Sequence, residues 1–554
     1  MRKFVFGLLL SPAVVACSSD PVVPTDAAGD AIADAPPASD GGRESGTDAS
    51  KDAPLPIDAP ADSPADVGTD AIVADAAPDG ALDASLEGGV DAAVDATVDA
   101  TVVDAEAGVL DASDATVVEG GNADAAVDAG SDAVAEAATE AGSDAGTMAI
   151  GVFERVSVGA GGVQGDGDTD VTGLSDDGRY VMFRSASTNL TSIVDSNNVA
   201  DVFIRDRELG TTTLISKATT GTAPANAESK EPRLSTSGDY VVFHSAATDL
   251  VVGDTNGASD VFLWSRASGL IEKVSVGFGG AQANARSELP SVVRDGRYVA
   301  FSSEATNLLA TSTVGPTTNI FVRDRTLGTN KRVSIGLAGA DPNNNSQTPR
   351  MADSGRYVVF VSNASNLVTG DTNAKADVFR YDLQTDTTER VSLGVSNVEG
   401  NEDCDRPVIS PDGRYVAFLS SASNLTAGDT AGTTDAFFVD MGATPRTILR
   451  FGMATAQAAY PLLSGDGRWL LLTPSPSFVA ADTNNVTDVY SFDTTQPTAT
   501  PVLISQVGGV VGNGFSYGFG MSTDGKYLAM GTAATNLVTP DVNAKLDTLI
   551  VRLR

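Results

Sequence analysis

The chain has 554 residues, 35 of them basic and 73 acidic, for a net charge of −38, with one histidine and two cysteines. So acidic a chain lacks the clustered basic face that nucleic-acid binding needs, and so few cysteines leave no disulfide framework. A lone histidine also excludes a multi-histidine metal centre.

The first seventeen residues form an export signal. Arg2 and Lys3 are the charged start, Phe4 to Leu10 the apolar stretch, and Val14-Val15-Ala16-Cys17 the processing site. The tetrapeptide resembles the bacterial lipobox. That resemblance implies cleavage before Cys17, lipidation of its thiol and attachment to a membrane through acyl chains, an anchor much firmer than one chain provides. Ser18 in the next position points to the outer membrane. No later apolar run is long enough to span a bilayer.

Residues 18–149 are rich in Asp and Ala, as in the run from Asp91 to Ala105, and hold 30 acidic residues against Arg43 and Lys51. With little bulky apolar surface to offset the entropy of ordering, and with like charges repelling along it, this segment is expected to be a disordered, extended tether. Calcium buffering and O-glycosylation at its Ser and Thr residues are the other readings. Aspartate, glycine and proline argue against a helix despite the alanines.

Residues 150–554 carry 31 basic and 43 acidic residues and one repeated phrase. Copies begin at Leu174, Leu234, Val293, Ala352, Ile409, Leu463 and Met521. Their turn glycines, Gly178, Gly238, Gly296, Gly355, Gly413, Gly467 and Gly525, are 60, 58, 59, 58, 54 and 58 residues apart. A period of this size built of short strands indicates stacked β units. In the second unit, strands are read at Pro232 to Ser235, Tyr240 to Ser245, Asp260 to Trp264 and Leu270 to Val276, with turns at Ser237-Gly238 and Ser268-Gly269. Four antiparallel strands make one propeller blade. The region opens on Phe153 to Ser157, a fourth-strand phrase, and finishes on Asp547 to Arg552, a third-strand phrase. The fold class expected is therefore all-β: a seven-bladed β-propeller of four-stranded blades, closed by the N-terminal strand completing the last blade. An open stack or eight blades would leave that strand unexplained.

The phrase Ser410 to Phe418, SPDGRYVAF, resembles the repeats of TolB-type and WD-type propellers and of the propeller domain of prolyl oligopeptidases. The resemblance covers Phe153 to Arg554 and implies a blade rather than an activity. For TolB-like proteins it implies a place in the periplasm and binding of partner proteins.

An acidic loop precedes the third strand of most units. It reads Asp195, Asn197 and Asp201, then Asp254, Asn256 and Asp260, then Asp371, Asn373 and Asp377. It returns as Asp429 and Asp435, as Asp482, Asn484 and Asp488, and as Asp541, Asn543 and Asp547. Three oxygen-bearing side chains on one short loop suit a hard cation such as Ca²⁺. The same residues also shape turns by bonding to nearby amides, and the third unit, with Gly315 to Asn319, dispenses with the pattern. His244 lies in a strand and is read as non-catalytic. Cys404, in an acidic loop before Pro407, is read as unreactive, with an intermolecular disulfide the remaining role.

The function expected is non-enzymatic: a monomeric cell-envelope lipoprotein whose propeller binds a protein, peptide or glycan partner, without a cofactor unless the loops take calcium. The alternatives are a carbohydrate-active propeller enzyme, of polysaccharide lyase or glycosidase type, and a calcium-dependent adhesin.

Overall fold

The computed structural model describes residues 148–553 apart from 312–316, 430–431, 453–456 and 475–477. The export signal, Cys17 and the tether up to residue 147 lie outside the described residues. Seven four-stranded antiparallel sheets follow one another. In blade 2 the strands run Ser229–Leu234, Tyr240–Ser245, Asp260–Ser265 and Ile271–Lys273. The first strand thus starts three residues before the sequence reading, and the fourth is shorter. Its apolar end, Val274 and Val276, lies beyond the ladder, although Val274 N still donates to Val261 O at 2.7 Å.

Blade 7 is built from both ends of the region. Ile150–Arg155 pairs antiparallel with Asp547–Leu553, with Ile150 opposite Leu553 and Arg155 opposite Leu549. Val156 N donates to Thr548 O at 2.9 Å, and Arg155 Nε reaches Asp547 at 2.7 Å. The spare strand and the missing strand thus satisfy each other's backbone groups.

The first strands of successive blades touch in order, and that of blade 7, Ser516–Met521, touches that of blade 1, Thr169–Leu174. These seven strands are therefore innermost and surround the central channel.

What sets one blade against the next is a single repeated contact. Each turn glycine has positive φ, from 70° to 82°. Each also lies against an aromatic ring of the preceding blade: Gly238 on Tyr180, Gly296 on Tyr240, Gly467 on Tyr415 and Gly525 on Trp469. Gly178 lies on Tyr527, which carries the contact across the closure. A Cβ on Gly296 would fall 2.6 Å from Tyr240. Glycine is thus required twice, by backbone conformation and by proximity. Inside blades 1 to 5 a phenylalanine of the second strand stacks on one of the third, as in Phe243 and Phe262 at 5.8 Å and Phe360 and Phe379 at 5.9 Å. Blade 6 is the irregular one, with strands of two to four residues and Leu472 opposite Tyr490 in place of that pair.

Candidate functional site

The acidic loops join second to third strands, so they crowd the same end of the ring as the connections between blades. In blade 1, Asn197 Nδ2 donates to Asp201 at 3.1 Å and to Ala225 O, on the connection to blade 2, at 2.8 Å. Ser216 Oγ donates to the other oxygen of Asp201 at 2.7 Å and accepts from Val202 N at 2.9 Å. The unit recurs with Asn256, Asp260 and Ser275, and with Asn373, Asp377 and Ser392. Asn484, Asp488 and Ser505 form another copy, and Asn543, Asp547 and Ser157 the one at the closure. Each asparagine therefore stitches its loop to the connection leading into the next blade.

Among the described residues, a cation from the fourth strand meets the aspartates in four blades, and Arg332, at the same place in blade 3, meets Asp341 at 2.7 Å. Lys273 Nζ lies 2.9 Å from Asp254 and 2.7 Å from Asp260. Arg390 meets Asp371 and Asp377, both at 3.3 Å, and Glu399 at 2.6 Å. Arg450 meets Asp429 and Asp435, both at 3.0 Å, and Arg155 meets Asp547 and Asp541. In these blades a side chain supplies the positive charge next to the carboxylates. Blades 1 and 6 have leucine there, Leu214 and Leu503. Burial pushes the second aspartate there, Asp201 or Asp488, up to about 6, and it does the same to Asp371 and Asp435 in spite of Arg390 and Arg450. The paired residue Asp195 caps the Asn197 and Asn198 amides, and Asp482 accepts from the Tyr490 hydroxyl. Blade 3 places Asn319 where the others have aspartate, and Ser334 still donates to it at 3.2 Å. Among the described residues no group of three or more His, Cys, Asp or Glu side chains is arranged to hold a metal.

His244 is 6 % exposed, its Nδ1 3.0 Å from Ser259 Oγ, and burial pushes its pKa down to about 4, so it is neutral. Cys404 is not in a loop. It begins the innermost strand of blade 5, and burial pushes its thiol up to about 12.

The innermost strands hold the residues that sequence reasoning missed. Those of blades 1 to 5 and 7 break register once, at a bulge, and in blades 2 to 6 a non-glycine residue of positive φ stands directly before a proline. These are Glu231 (45°), Leu289 (55°), Thr348 (53°), Arg406 (51°) and Tyr460 (50°). The left-handed region is costly for such side chains, and a following proline adds further steric restriction. Strain of this kind persists only where the surrounding structure holds it. The signal in the sequence was the proline, always six residues before the turn glycine: Pro232, Pro290, Pro349, Pro407 and Pro461.

Around the ring the bulge positions do not repeat. Arg233 lies 3.7 Å from Glu231, and its buried Nε has no hydrogen-bond partner. Thr348 Oγ1 is likewise buried without a partner. Arg350 donates only to Pro349 O, at 3.0 Å, and makes no ion pair among the described residues. Arg406 sits 3.6 Å from Asp405 and 4.5 Å above the Tyr460 ring. Tyr460 and Tyr517 each pack edge-on against Phe519, at 5.1 and 5.0 Å. Tyr517 donates to Asp170 at 3.1 Å, and Asp170 pairs with Arg184 at 2.9 Å. One arc of the wall is thus rich in guanidinium groups and the next is aromatic. Burial works against the charge of Glu231, but Arg233, Arg350 and their neighbours hold its pKa below the usual range.

A surface cleft of about 550 Å³ between blades 4 and 5 is lined by Gly370, Glu389, Arg390, Met441 and Arg446. Its charges are already matched, Arg446 to Glu389 at 2.6 Å and Arg390 to Glu399.

These features define a closed seven-bladed β-propeller with repeating blades and a non-repeating channel wall. No family model and no curated protein matches the chain. Among solved structures it is similar to a prolyl endopeptidase, at 14% identity over 69% of this chain and 50% of that one, with a TM-score of 0.43. The chain thus spans half the length of that peptidase. It is also similar to a putative TolB from Agrobacterium tumefaciens, at 15% identity over 55% of this chain and 89% of that one, with a TM-score of 0.33. The β-propeller domain of the Trilobed protease from Pyrococcus furiosus matches at 10% identity over 70% and 95%, with a TM-score of 0.43. Similarity at this level concerns the fold alone.

Proposed function

We propose that the protein is a non-enzymatic binding module of the bacterial cell envelope, held to the outer membrane through lipidated Cys17 and carried on its acidic tether. The propeller presents its channel mouth and loop ends to a protein, peptide or glycan partner. The observation that carries this reading is the contrast between blade and channel. Residues that recur in the units are mostly consumed by turns, ring contacts and strand-end networks, although single atoms such as Arg390 Nε and Asp435 Oδ1 lack a partner there too. The bulge residues of the innermost strands differ from unit to unit and leave polar groups uncommitted. A wall held by strained bulges in a closed ring is preorganised, which lowers the entropic cost of binding. No helix among the described residues is long and apolar enough to cross a membrane; the lipid anchor is supported by the likeness of Val14 to Cys17 to a lipobox.

The test places a photo-crosslinking residue at position 460 in the channel or at position 209, an exposed turn on the outer edge, in cells producing the full chain. A discrete adduct from 460 and none from 209 is the expected result. Identical products from both positions would remove the channel from the reading, and turnover of an acidic polysaccharide by the purified chain would replace the reading with an enzymatic one. Palmitate labelling that disappears in Cys17→Ser tests the anchor.

A further inference from the structure

We propose that the central channel contains an oxyanion site formed by Arg233 and Arg350, with Arg406 at its aromatic edge, which holds a carboxylate or phosphate group of the ligand. Arg233 and Arg350 occupy equivalent places in blades 2 and 4, each two residues beyond the strained bulge. The same place is taken by Ser291 in blade 3 between them, and by Val408 and Leu462 in blades 5 and 6. Ser291 is too short to separate the two guanidinium groups, and its hydroxyl is turned to the Met351 amide, at 3.0 Å. Positive charge is therefore concentrated on one side of the ring, in a propeller that is acidic overall.

The carboxylates nearby offset it only in part. Glu231 stands off from Arg233 at 3.7 Å, longer than a charge-assisted hydrogen bond, and Asp405 faces Arg406 at 3.6 Å. Three guanidinium groups thus share two loosely placed carboxylates, and Arg350 has none within ion-pair distance among the described residues. Burial, with Arg233 beside it and Arg406 near, pushes Arg350 down to about 9, with Glu231 and Asp405 acting the other way. A guanidinium does not release its proton inside a protein, so this penalty persists until an anion arrives. The unpartnered Nε of Arg233 and hydroxyl of Thr348 supply further hydrogen-bonding capacity. A planar guanidinium fork matches the paired oxygens of carboxylate and phosphate. Beyond Arg406, the faces of Tyr460 and Phe519 offer an apolar wall for the rest of the ligand.

The inference rests on the channel being the binding surface, and its test is independent of any macromolecular partner. The full chain is titrated calorimetrically in low-chloride buffer with citrate and, separately, with inorganic phosphate. Saturable binding is expected for at least one, weakened about tenfold or more in Arg350→Met and in Arg233→Met. Arg350→Lys, which keeps the charge but not the fork, is expected to lie between and serves if the methionine variant fails to fold. Citrate alone binding assigns a carboxylate ligand, phosphate alone a phosphate ligand, and both the shared oxyanion chemistry. No saturable heat with either, or unchanged binding in the arginine variants, overturns the site. Crosslinking at position 460 can succeed while this titration fails, so the two readings fail separately.

Discussion

The acidic loops and the innermost-strand bulges both recur around the ring, yet they use charge in opposite ways. In the loops, Asp254 and Asp260 are met by Lys273 at hydrogen-bonding distance and by Ser275, so a buried charge becomes part of a closed network. In the bulges, Arg233 and Arg350 are half-buried without such partners, in strands that pack the channel wall. A repeated residue whose charge is met by a fixed partner is structural. A non-repeated residue whose charge is not is available to a ligand.

Removing a charge from the loop network has the largest expected effect. Lys273→Met leaves two buried aspartates facing each other and is expected to cost about 3–5 kcal/mol, read as a large fall in melting temperature. A tolerated Lys273→Met would show that the loop network is not structural.

The ring contact comes next. Gly296→Ala forces a left-handed alanine against Tyr240 and is expected to cost about 2–4 kcal/mol in denaturant unfolding. A neutral result would mean that the blades shift freely.

Protonation is a further handle on the loops, because burial raises their aspartates with or without a cation beside them. Asp201 and Asp488, without a cation, have folded-state pKa values of about 6, above the ordinary 3.8. Each contributes its full stability below pH 4 and loses it as the pH rises to 6. Asp488→Asn, which copies the natural Asn319 of blade 3, is expected to raise the melting temperature at pH 7.5 and leave it unchanged at pH 4. A lower melting temperature at pH 7.5 would refute this.

The smallest effects belong to the channel and to calcium. Arg350→Met is expected to change stability by less than about 1 kcal/mol, since the buried charge it removes has no ion pair of its own and Arg233 remains beside Glu231. A cost like that of Lys273→Met would make Arg350 a structural residue. Millimolar calcium is expected to leave the melting temperature where it is. A rise that disappears in Asp488→Asn would assign a cation to the blades that lack one of their own.

Much of the fold was legible because the blade repeats. The turn glycines gave the period, and the third-strand phrase from Asp547 with the fourth-strand phrase at Phe153 gave the closure that the ladder between Ile150–Arg155 and Asp547–Leu553 displays. The site was less legible. The loop aspartates stood out because they recur in sequence, whereas the cations that meet four of the pairs lie on the fourth strand and look like ordinary alternating residues. Arg233 and Arg350 are 117 positions apart, in a chain whose overall charge points the other way. Cys404 was placed in a loop because Asp405 and Pro407 resemble loop residues, while the structure uses that proline at a bulge.

The number of blades, the strand order within each and the means of closure follow from local periodicity and from the match between the two terminal strands, so they are written along the chain. Which charges face each other is set by the folded ring. Ring closure gathers the seven innermost strands about one axis, and residues with no relation along the chain become neighbours across the channel.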